Sequence, residues 1–491
     1  MSQDPYAKIE DKHQLIRAQI PNYRRLDDAW DSLRVKARGM EYLPNAQAIV
    51  SGTGSVFQTY IERAIFPEVP PRVLSSFIGM AFRKPIHYQV VTLDRKTAAQ
   101  NGPGFLDDAD LLGNSLEEFS KQLLADVIRY GWVVLYCDYS SEYRRPFLRK
   151  YVADEAYNWA QSTGAVSHVR LSEGSHWIDP FSFEEGDVKR VRTLDLLDGA
   201  AHYRLFEQRE STDGTRWELV EGPEPLLRRE QPIPYLPVIP ISTYDVGTWW
   251  VETSVIMPLV NMIFSAYQTS ADLEIARHQC RIIQPIMFGV NKKQTQGLVI
   301  GDGSWWSFDT EGSAMMLEAN GSVCRILQDA FAEKMEQAAA HGARFLRERK
   351  RDAETAEAKR LEESSEVSVL QSIIHNVNEA MRLALIECEE WNAPLSNQDA
   401  VEFTINDELF EDGGFDPAVF TALKDSWMGG IAPHAVPAQY LVDHGFTDLT
   451  PEQMLAAVKT ERPELFMEYY RKANQAEDEE TQTGQEEGPD K

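Results

Sequence analysis

The stretch LEESSEVSVLQSIIHNVNEAMRLALIECEEW, residues 361–391, settles the architecture more than any other. Within it Val367, Leu370, Ile374, Val377, Met381, Leu385 and Cys388 recur at steps of three and four, which places them on one face of an α-helix. At 1.5 Å per residue such a helix is roughly 45 Å long. Its apolar face runs almost from end to end. It is therefore expected as the spine of a large domain, or beside copies of itself in an oligomer.

The chain just before that helix carries Arg344, Arg347, Arg349, Lys350 and Arg351. Cations at the end of a helix complement its dipole and stay solvated; a basic loop of this kind can also touch a polyanion. Residues from Asp329 to Arg349 are expected as a second helix. Before it, Arg281–Leu327 is punctuated by glycine and rich in aromatics, as in Gly301-Asp-Gly303-Ser-Trp305-Trp306, and is expected as a compact β-containing insertion. Lys292 and Lys293 lie inside it. About Glu252 to Arg277 the helical pattern returns, with Pro258 tolerable in the early turns.

Farther out, Val188–Leu197, Ala201–Glu210 and Thr215–Val220 are strand-like runs joined by Asp198-Gly199 and Asp213-Gly214, a strong short hairpin signal. An antiparallel meander over about 165–245 is expected. The proline-rich stretch 232–240 that ends it should be extended, because each proline disfavours helix in its predecessor. Residues 1 to about 135 are expected to be mostly helical, with Val56–Ile65 and Val73–Arg83 separated by a breaker at Pro67-Glu-Val-Pro70-Pro71. Ser115 and Glu118 form a capping box for a helix to about Arg129, and Trp132–Tyr136 is a short buried strand. Beyond Asn397 a smaller helical region follows, and the last eighteen residues, from Asn474, hold seven acids and one lysine and are expected to be disordered.

Composition bounds the function. The chain has 491 residues, 77 of them acidic and 49 basic, for a net charge of −28. A protein that grips nucleic acid over its whole surface is normally basic, because phosphate neutralisation supplies most of the affinity. An acidic chain can guide DNA without holding it. The four cysteines, Cys137, Cys280, Cys324 and Cys388, are far apart in sequence without a C-x-x-C pair, so they are expected as small buried thiols, with no zinc site or disulfide framework. The N-terminus lacks a secretory pattern and no apolar run is long enough to span a bilayer, so an intracellular product without membrane contact is expected. Ser51-Gly-Thr-Gly54-Ser lacks the lysine and spacing of a phosphate loop, no H-E-x-x-H or G-x-S-x-G occurs, and His168 and His176 stand in loop or strand without a ligand pattern. We expect no catalytic residues, no metal and no cofactor.

Four short stretches carry a family likeness: Arg38-Gly39-Met-Glu-Tyr42-Leu43-Pro44, Gly79-Met-Ala-Phe82-Arg83-Lys84-Pro85, Arg145-Pro146-Phe-Leu-Arg-Lys-Tyr151 running on to Asn158-Trp159, and Glu354-Thr355-Ala356 leading to Glu363-Ser364-Ser365. With the order helix, aromatic β insertion, helix, basic loop, long helix, the chain resembles the portal proteins of tailed bacteriophages. Specifically, it is similar to a portal-like family long catalogued as a phage protein of unknown function. The likeness covers about residues 35–395; the segment Arg277-His278-Gln-Cys280-Arg281 departs from the family's aromatic-rich pattern.

The resemblance implies an α+β portal fold. Residues 1–250 would form a wing, helical at first and then the meander. Residues 251–280 would form a stem helix, 281–325 the clip and 326–346 a second stem helix. A tunnel loop at 347–360, a spine helix at 361–395, a helical crown at 396–473 and an acidic tail at 474–491 would complete it. It further implies a ring of usually twelve subunits at one capsid vertex of the virion, assembled in the host cytoplasm. That ring would dock the terminase large subunit and later a head–tail adaptor, contact the major capsid protein and scaffold, and pass double-stranded DNA. Arg347, Arg349, Lys350 and Arg351 would face that DNA, and Lys292 and Lys293 would meet terminase or adaptor. The alternative is another structural virion component, a minor capsid or adaptor protein.

Overall fold

In the computed structural model, residues 6–43, 60–94, 102–162, 164–178, 180–211, 214–281, 284–288, 313–317, 321–340, 356–406, 417–428, 433 and 435–443 are described, with a few positions between 453 and 460. The chain divides into two compact units, Met1–Asp407 and Glu408–Lys491.

The first unit opens with α1 (Gln14–Asp28), α2 (Ser32–Arg38), α3 (Pro70–Ala81) and the short strand β1 (His87–Gln89). Pro70 and Pro71 do not break the helix there. They form its first turn, where the missing N–H costs no hydrogen bond. Helix α4 (Leu116–Tyr130) starts at the Ser115–Glu118 capping box, with both reciprocal bonds made. It ends at Gly131, whose φ of 80° suits glycine. A Cβ at Gly131 would lie 2.8 Å from the carbonyl oxygen of Glu252, so only glycine lets the chain leading to the next long helix pass this close.

Strands then follow in order: β2 (Trp132–Ser140), β3 (Arg145–Val152), β4 (Ala156–Ser162), β5 (Ala165–Ser172), β6 (Ser175–Ile178), β7 (Glu185–Val188), β8 (Arg190–Leu197), β9 (Ala200–Ser211) and β10 (Gly214–Pro225). After two short strands, β11 (Leu227–Arg228) and β12 (Gln231–Pro232), β13 (Val238–Ser242) closes the set as the edge of a second sheet. One antiparallel sheet has the order β10-β9-β8-β5-β4, and the second has β13-β2-β3. At the β8–β9 turn Asp198 and Gly199 both have positive φ, 52° and 79°, the geometry that matches a two-residue loop to strand twist.

The expected meander and the expected buried strand from Trp132 are both present, but two further strands occupy Arg145–Val152 and Ala156–Ser162 ahead of the meander. Strands β3 and β4 escaped the sequence reading, β3 because its buried positions include polar side chains that are paired in the fold. Arg145 is fully buried against Asp108 at 2.9 Å, and Tyr151 donates to Glu173 at 2.8 Å. Local alternation of apolar and polar residues is blurred wherever a polar group is buried with its partner.

The two sheets pack through alternate residues of β2. Trp132 meets Trp159 and Trp249, with ring centroids 5.1 and 6.0 Å away. Tyr136 lies beneath the Arg192 guanidinium at 5.7 Å. Cys137 points the other way and donates to the carbonyl of Ala384 on the long helix, at 3.7 Å. Trp132 through Cys137 are all buried because both faces of this central strand are covered. Between the sheets, Glu173 accepts from Arg192 (2.7 Å), Arg149 (2.9 Å) and Tyr151 (2.8 Å), while Arg192 also reaches Asp138 at 3.1 Å.

A second polar group sits on β8. Asp195 accepts from Arg204 at 2.7 Å and from Thr193 at 3.1 Å, and pairs with Nδ1 of His168 at 2.6 Å; Nε2 of that ring accepts from Arg170. Burial alone would raise the Asp195 carboxyl, but the bonds from His168 and Arg204 reverse it and hold it at about 2, against an ordinary 3.8. A carboxylate depressed in the folded state contributes stability that is present in full above its unfolded pKa and lost as pH falls through the folded value. The shift corresponds to about 2 kcal/mol. Urea midpoints measured between pH 4 and pH 2 should show that loss, and Asp195→Asn should remove this part of the acid dependence while lowering stability at neutral pH.

After β13 come α5 (Met257–Arg281), the ribbon strands β14 (Gln284–Phe288) and β15 (Ser313–Leu317), α6 (Ser322–Ala340), the long α7 (Ala356–Asn392) and β16 (Glu402–Thr404), which pairs antiparallel with β1. In the second unit, α8 (Pro417–Met428) and α9 (Ala435–Asp443) pack together, with the rings of Phe420 and Tyr440 stacked at 6.3 Å.

Candidate functional site

The segment from α5 to α7 holds every residue for which a function was expected. Helix α5 begins five residues later than the pattern suggested and runs four residues farther. Its first half is embedded in the body: Leu259, Val260, Ile263, Phe264, Ala266, Tyr267 and Ala271 are buried and share one broad face of the helix, while Pro258 and Asn261 on the other side are exposed. The ring of Tyr42 stacks on Phe264 at 4.3 Å, and Gln268 donates to the Tyr42 carbonyl at 2.9 Å. Tyr42 lies in the first of the four stretches that carry the likeness, so that stretch has a structural role as a brace for α5. Beyond Leu273 the described side chains of the helix are half-buried or exposed.

Helix α6 returns antiparallel to α5. Lys334 donates to the carbonyl of Ser265 at 3.2 Å and to the Thr269 hydroxyl at 2.7 Å, while near the other end Cys280 meets Cys324. The covered residues of α6 include Cys324, Leu327, Phe331, Met335 and Ala338, which recur at steps of three and four. Its other face is largely exposed, including Val323 and Ile326 at 53% and 66%. Between the two helices, β14 and β15 pair antiparallel with Ile286 opposite Met315. The expected β-containing insertion is therefore a ribbon standing on two antiparallel helices. Lys292 and Lys293 fall between its strands, outside the described residues.

Arg344, Arg347, Arg349, Lys350 and Arg351 also lie outside the described residues, in the connection from α6 to α7. The helix at the far end of that connection is firmly held. Helix α7 has 37 residues, and its buried positions run from Leu370 to Trp391. It starts five residues before the expected Leu361. It lies across the β13-β2-β3 sheet: Asn376 donates to the Ser242 carbonyl at 3.3 Å, and Tyr139 stacks on Trp391 at 5.5 Å. Arg228 forms an ion pair with Glu387, and Arg229 reaches Glu390 at 3.2 Å. Asn378 bridges to Ile405 by donating to its carbonyl at 3.4 Å and accepting from its N–H at 2.8 Å.

The carboxylate of Glu389 is fully buried and accepts from the N–H groups of Val91 (2.6 Å), Thr92 (2.9 Å) and Leu93 (3.2 Å), and from the Thr92 hydroxyl. Nothing in the run Glu387-Cys-Glu389-Glu390 marks this acid as different from its neighbours. Its partner segment lies almost 300 residues away in the chain.

All four cysteines are free thiols, and Cys137 and Cys388 are buried as expected, but Cys280 and Cys324 are only half-buried. The four are far apart in sequence but form two adjacent pairs. Cys280 and Cys324 have Sγ atoms 3.4 Å apart, and in the core the neighbouring Cys388 together with burial pushes the Cys137 thiol well up. Among the described residues, no group of three or more His, Cys, Asp or Glu side chains could hold a metal ion, and no helix is long and apolar enough to cross a membrane.

Residues 256–392 match a family described as a domain of unknown function, DUF4055. That match begins one residue before α5 and ends with the last residue of α7, so the helix–ribbon–helix–helix segment is the part shared with the family. No curated protein matches the chain. Among solved structures it is similar to a chain in the neck of an empty gene transfer agent particle computed with C6 symmetry, at 12% identity and a TM-score of 0.37, covering 81% of this chain and 97% of that one. A chain in the neck of the native particle computed with C12 symmetry is similar at 11% identity and 0.37, covering 76% and 88%. A chain of the native gene transfer agent virion is similar at 11% identity and 0.37, covering 84% and 98%.

Proposed function

We propose that this chain is a portal subunit. Copies of it, usually twelve, would form a ring at one capsid vertex through which double-stranded DNA is packaged, retained and ejected. The observation that carries the reading is the order of parts in one segment: two antiparallel helices closed by a β-ribbon, then a cation-rich connection, then a 37-residue helix fastened into an α+β body. The four sequence stretches of the portal likeness support it. So does the charge: a bore that passes duplex DNA both ways needs a lining that repels phosphate, and −28 per subunit suits that.

In this reading α5 and α6 form the stem, the ribbon the clip and α7 the spine, and the protein works by shape and charge without catalysis. Arg347, Arg349, Lys350 and Arg351 supply one narrow ring of phosphate contacts, and the ribbon with Lys292 and Lys293 meets the terminase and later the adaptor. The exposed apolar side chains of α6, Val323 and Ile326, would be covered by the next subunit.

Negative-stain electron microscopy with mass photometry tests the ring. Rings of about twelve copies around an open channel are expected. A stable monomer or closed dimer across salt and concentration would shift the reading to another virion component. Neutralising Arg347, Arg349, Lys350 and Arg351 together should leave ring assembly intact while packaging or genome retention falls. Unchanged packaging in that variant would remove the basic connection from the mechanism.

A further inference from the structure

Cys280 is the penultimate residue of α5 and Cys324 the third residue of α6, so the antiparallel packing of these helices places the two thiols side by side where the ribbon segment leaves the pair. Their Sγ atoms are 3.4 Å apart, and both cysteines are free and half-buried. We propose that Cys280 and Cys324 are a paired oxidation site: a small-molecule disulfide converts them to an intramolecular disulfide that ties the ends of α5 and α6 together across the base of the ribbon.

Geometry and access both favour this pair. A disulfide needs sulfur atoms about 2.05 Å apart on side chains whose Cβ atoms are about 3.5–4.5 Å apart. Thiols already in hydrogen-bonding contact approach that arrangement by small side-chain rotations. The second pair in the protein lacks the access, because Cys137 on β2 and Cys388 on α7 are both fully buried between that helix and the sheet. Reactivity toward a soluble oxidant follows exposure as well as thiolate character. An oxidant in solution therefore finds Cys280 and Cys324 first.

The exchange balances with one molecule of low-molecular-weight disulfide. One cysteine loses its proton to solvent, and its thiolate attacks a sulfur of that disulfide. The external S–S bond breaks, a mixed disulfide forms, and the first small thiolate leaves and takes up a proton. The second cysteine thiolate then attacks the protein-bound sulfur, and the second small thiolate leaves. Two protein thiols have been oxidised and one external disulfide reduced to two thiols. The new bond closes a loop between positions 44 apart in the chain and removes conformational freedom from it. A chain that leaves a reducing cytoplasm for an oxidising medium meets the conditions that drive this reaction.

The test uses the full-length chain, reduced and then held under native conditions with oxidised glutathione. After blocking free thiols and denaturing, cleavage on the carboxyl side of lysine puts each of the four cysteines on a separate peptide. The expected product is the Cys280 peptide linked to the Cys324 peptide, in protein that runs as a monomer on a non-reducing denaturing gel. Titratable thiols should fall from four to two. Cys280→Ser should give a glutathione adduct on Cys324 and no link, and the urea midpoint of the oxidised wild type should exceed that of the reduced protein. Separate glutathione adducts on both cysteines, four thiols still free, a link between Cys137 and Cys388 instead, or a link between two chains would each overturn the proposal. The peptide map is made on the wild type, so it decides between these outcomes even where a serine variant fails to fold.

Discussion

Glu389→Ala is expected to lower the stability of the first unit by about 3–5 kcal/mol, because several covered donors lose their acceptor at once. The carboxylate takes hydrogen bonds from three consecutive backbone N–H groups, at Val91, Thr92 and Leu93, and from the Thr92 hydroxyl. Leu93 is buried and Thr92 half-buried, so water does not fully replace the lost acceptor. Glu389→Gln keeps one acceptor oxygen of the right size and should cost less, about 1–2 kcal/mol, since an amide N–H₂ then faces the Thr92 donors. Urea unfolding gives the difference, and amide exchange at 91–93 localises it. A loss below about 1 kcal/mol in the alanine variant would mean that this loop finds other partners when freed. The consequence reaches α7, since the same bonds hold the C-terminal end of that helix to the segment following β1.

Arg192→Leu should be comparably damaging, about 3–5 kcal/mol at neutral pH, because it strands buried carboxylates. Arg192 bridges Glu173 and Asp138, whose side chains are 7% and 12% exposed. Burial by itself raises the Glu173 carboxyl, but Arg192 and Arg149 outweigh it and hold the group below its ordinary value. In the wild type this group adds stability above the ordinary carboxylate pKa, and that contribution is lost as pH falls through the lower folded value. Without Arg192 the balance at Asp138, already raised by burial with Arg192 opposing, tips further toward the neutral acid. A carboxyl raised in the folded state destabilises above its unfolded pKa and is relieved as the group protonates on acidification. The gap between variant and wild type should therefore narrow from pH 7 toward pH 4, measured as urea midpoints at each pH. A pH-independent gap would show that the loss is one of packing, not of charge.

Both predictions rest on contacts that no local pattern announces. The helix stripe from Val367 to Cys388, the Ser115–Glu118 box, the Asp198-Gly199 turn and the extended proline-rich run were legible because each is written in spacings of a few residues. Those spacings are set by covalent geometry: 3.6 residues per helical turn, two per strand repeat, and the φ preferences of glycine and proline. The order of helix, insertion, helix, cations and long helix was legible for the same reason. The cations at 347–351 are visible in the sequence as a concentration of charge and lie outside the described residues.

Which side chains meet was settled only in three dimensions. Strand β3 stayed hidden because Arg145 and Tyr151 look solvent-facing until Asp108 and Glu173 are brought to them. Glu389 looks like one acid among several until a backbone segment nearly 300 residues earlier closes on it. Cys280 and Cys324 look isolated until two helices fold back on one another. In each case the free energy of a polar or reactive group depends on a partner distant in sequence, and a period of two or 3.6 carries no information about that partner. Short-range spacing was enough to place the helices and turns, and composition enough to make the chain acidic. The packing of those elements settled which charges are paired, which thiols touch and where the long helix is held.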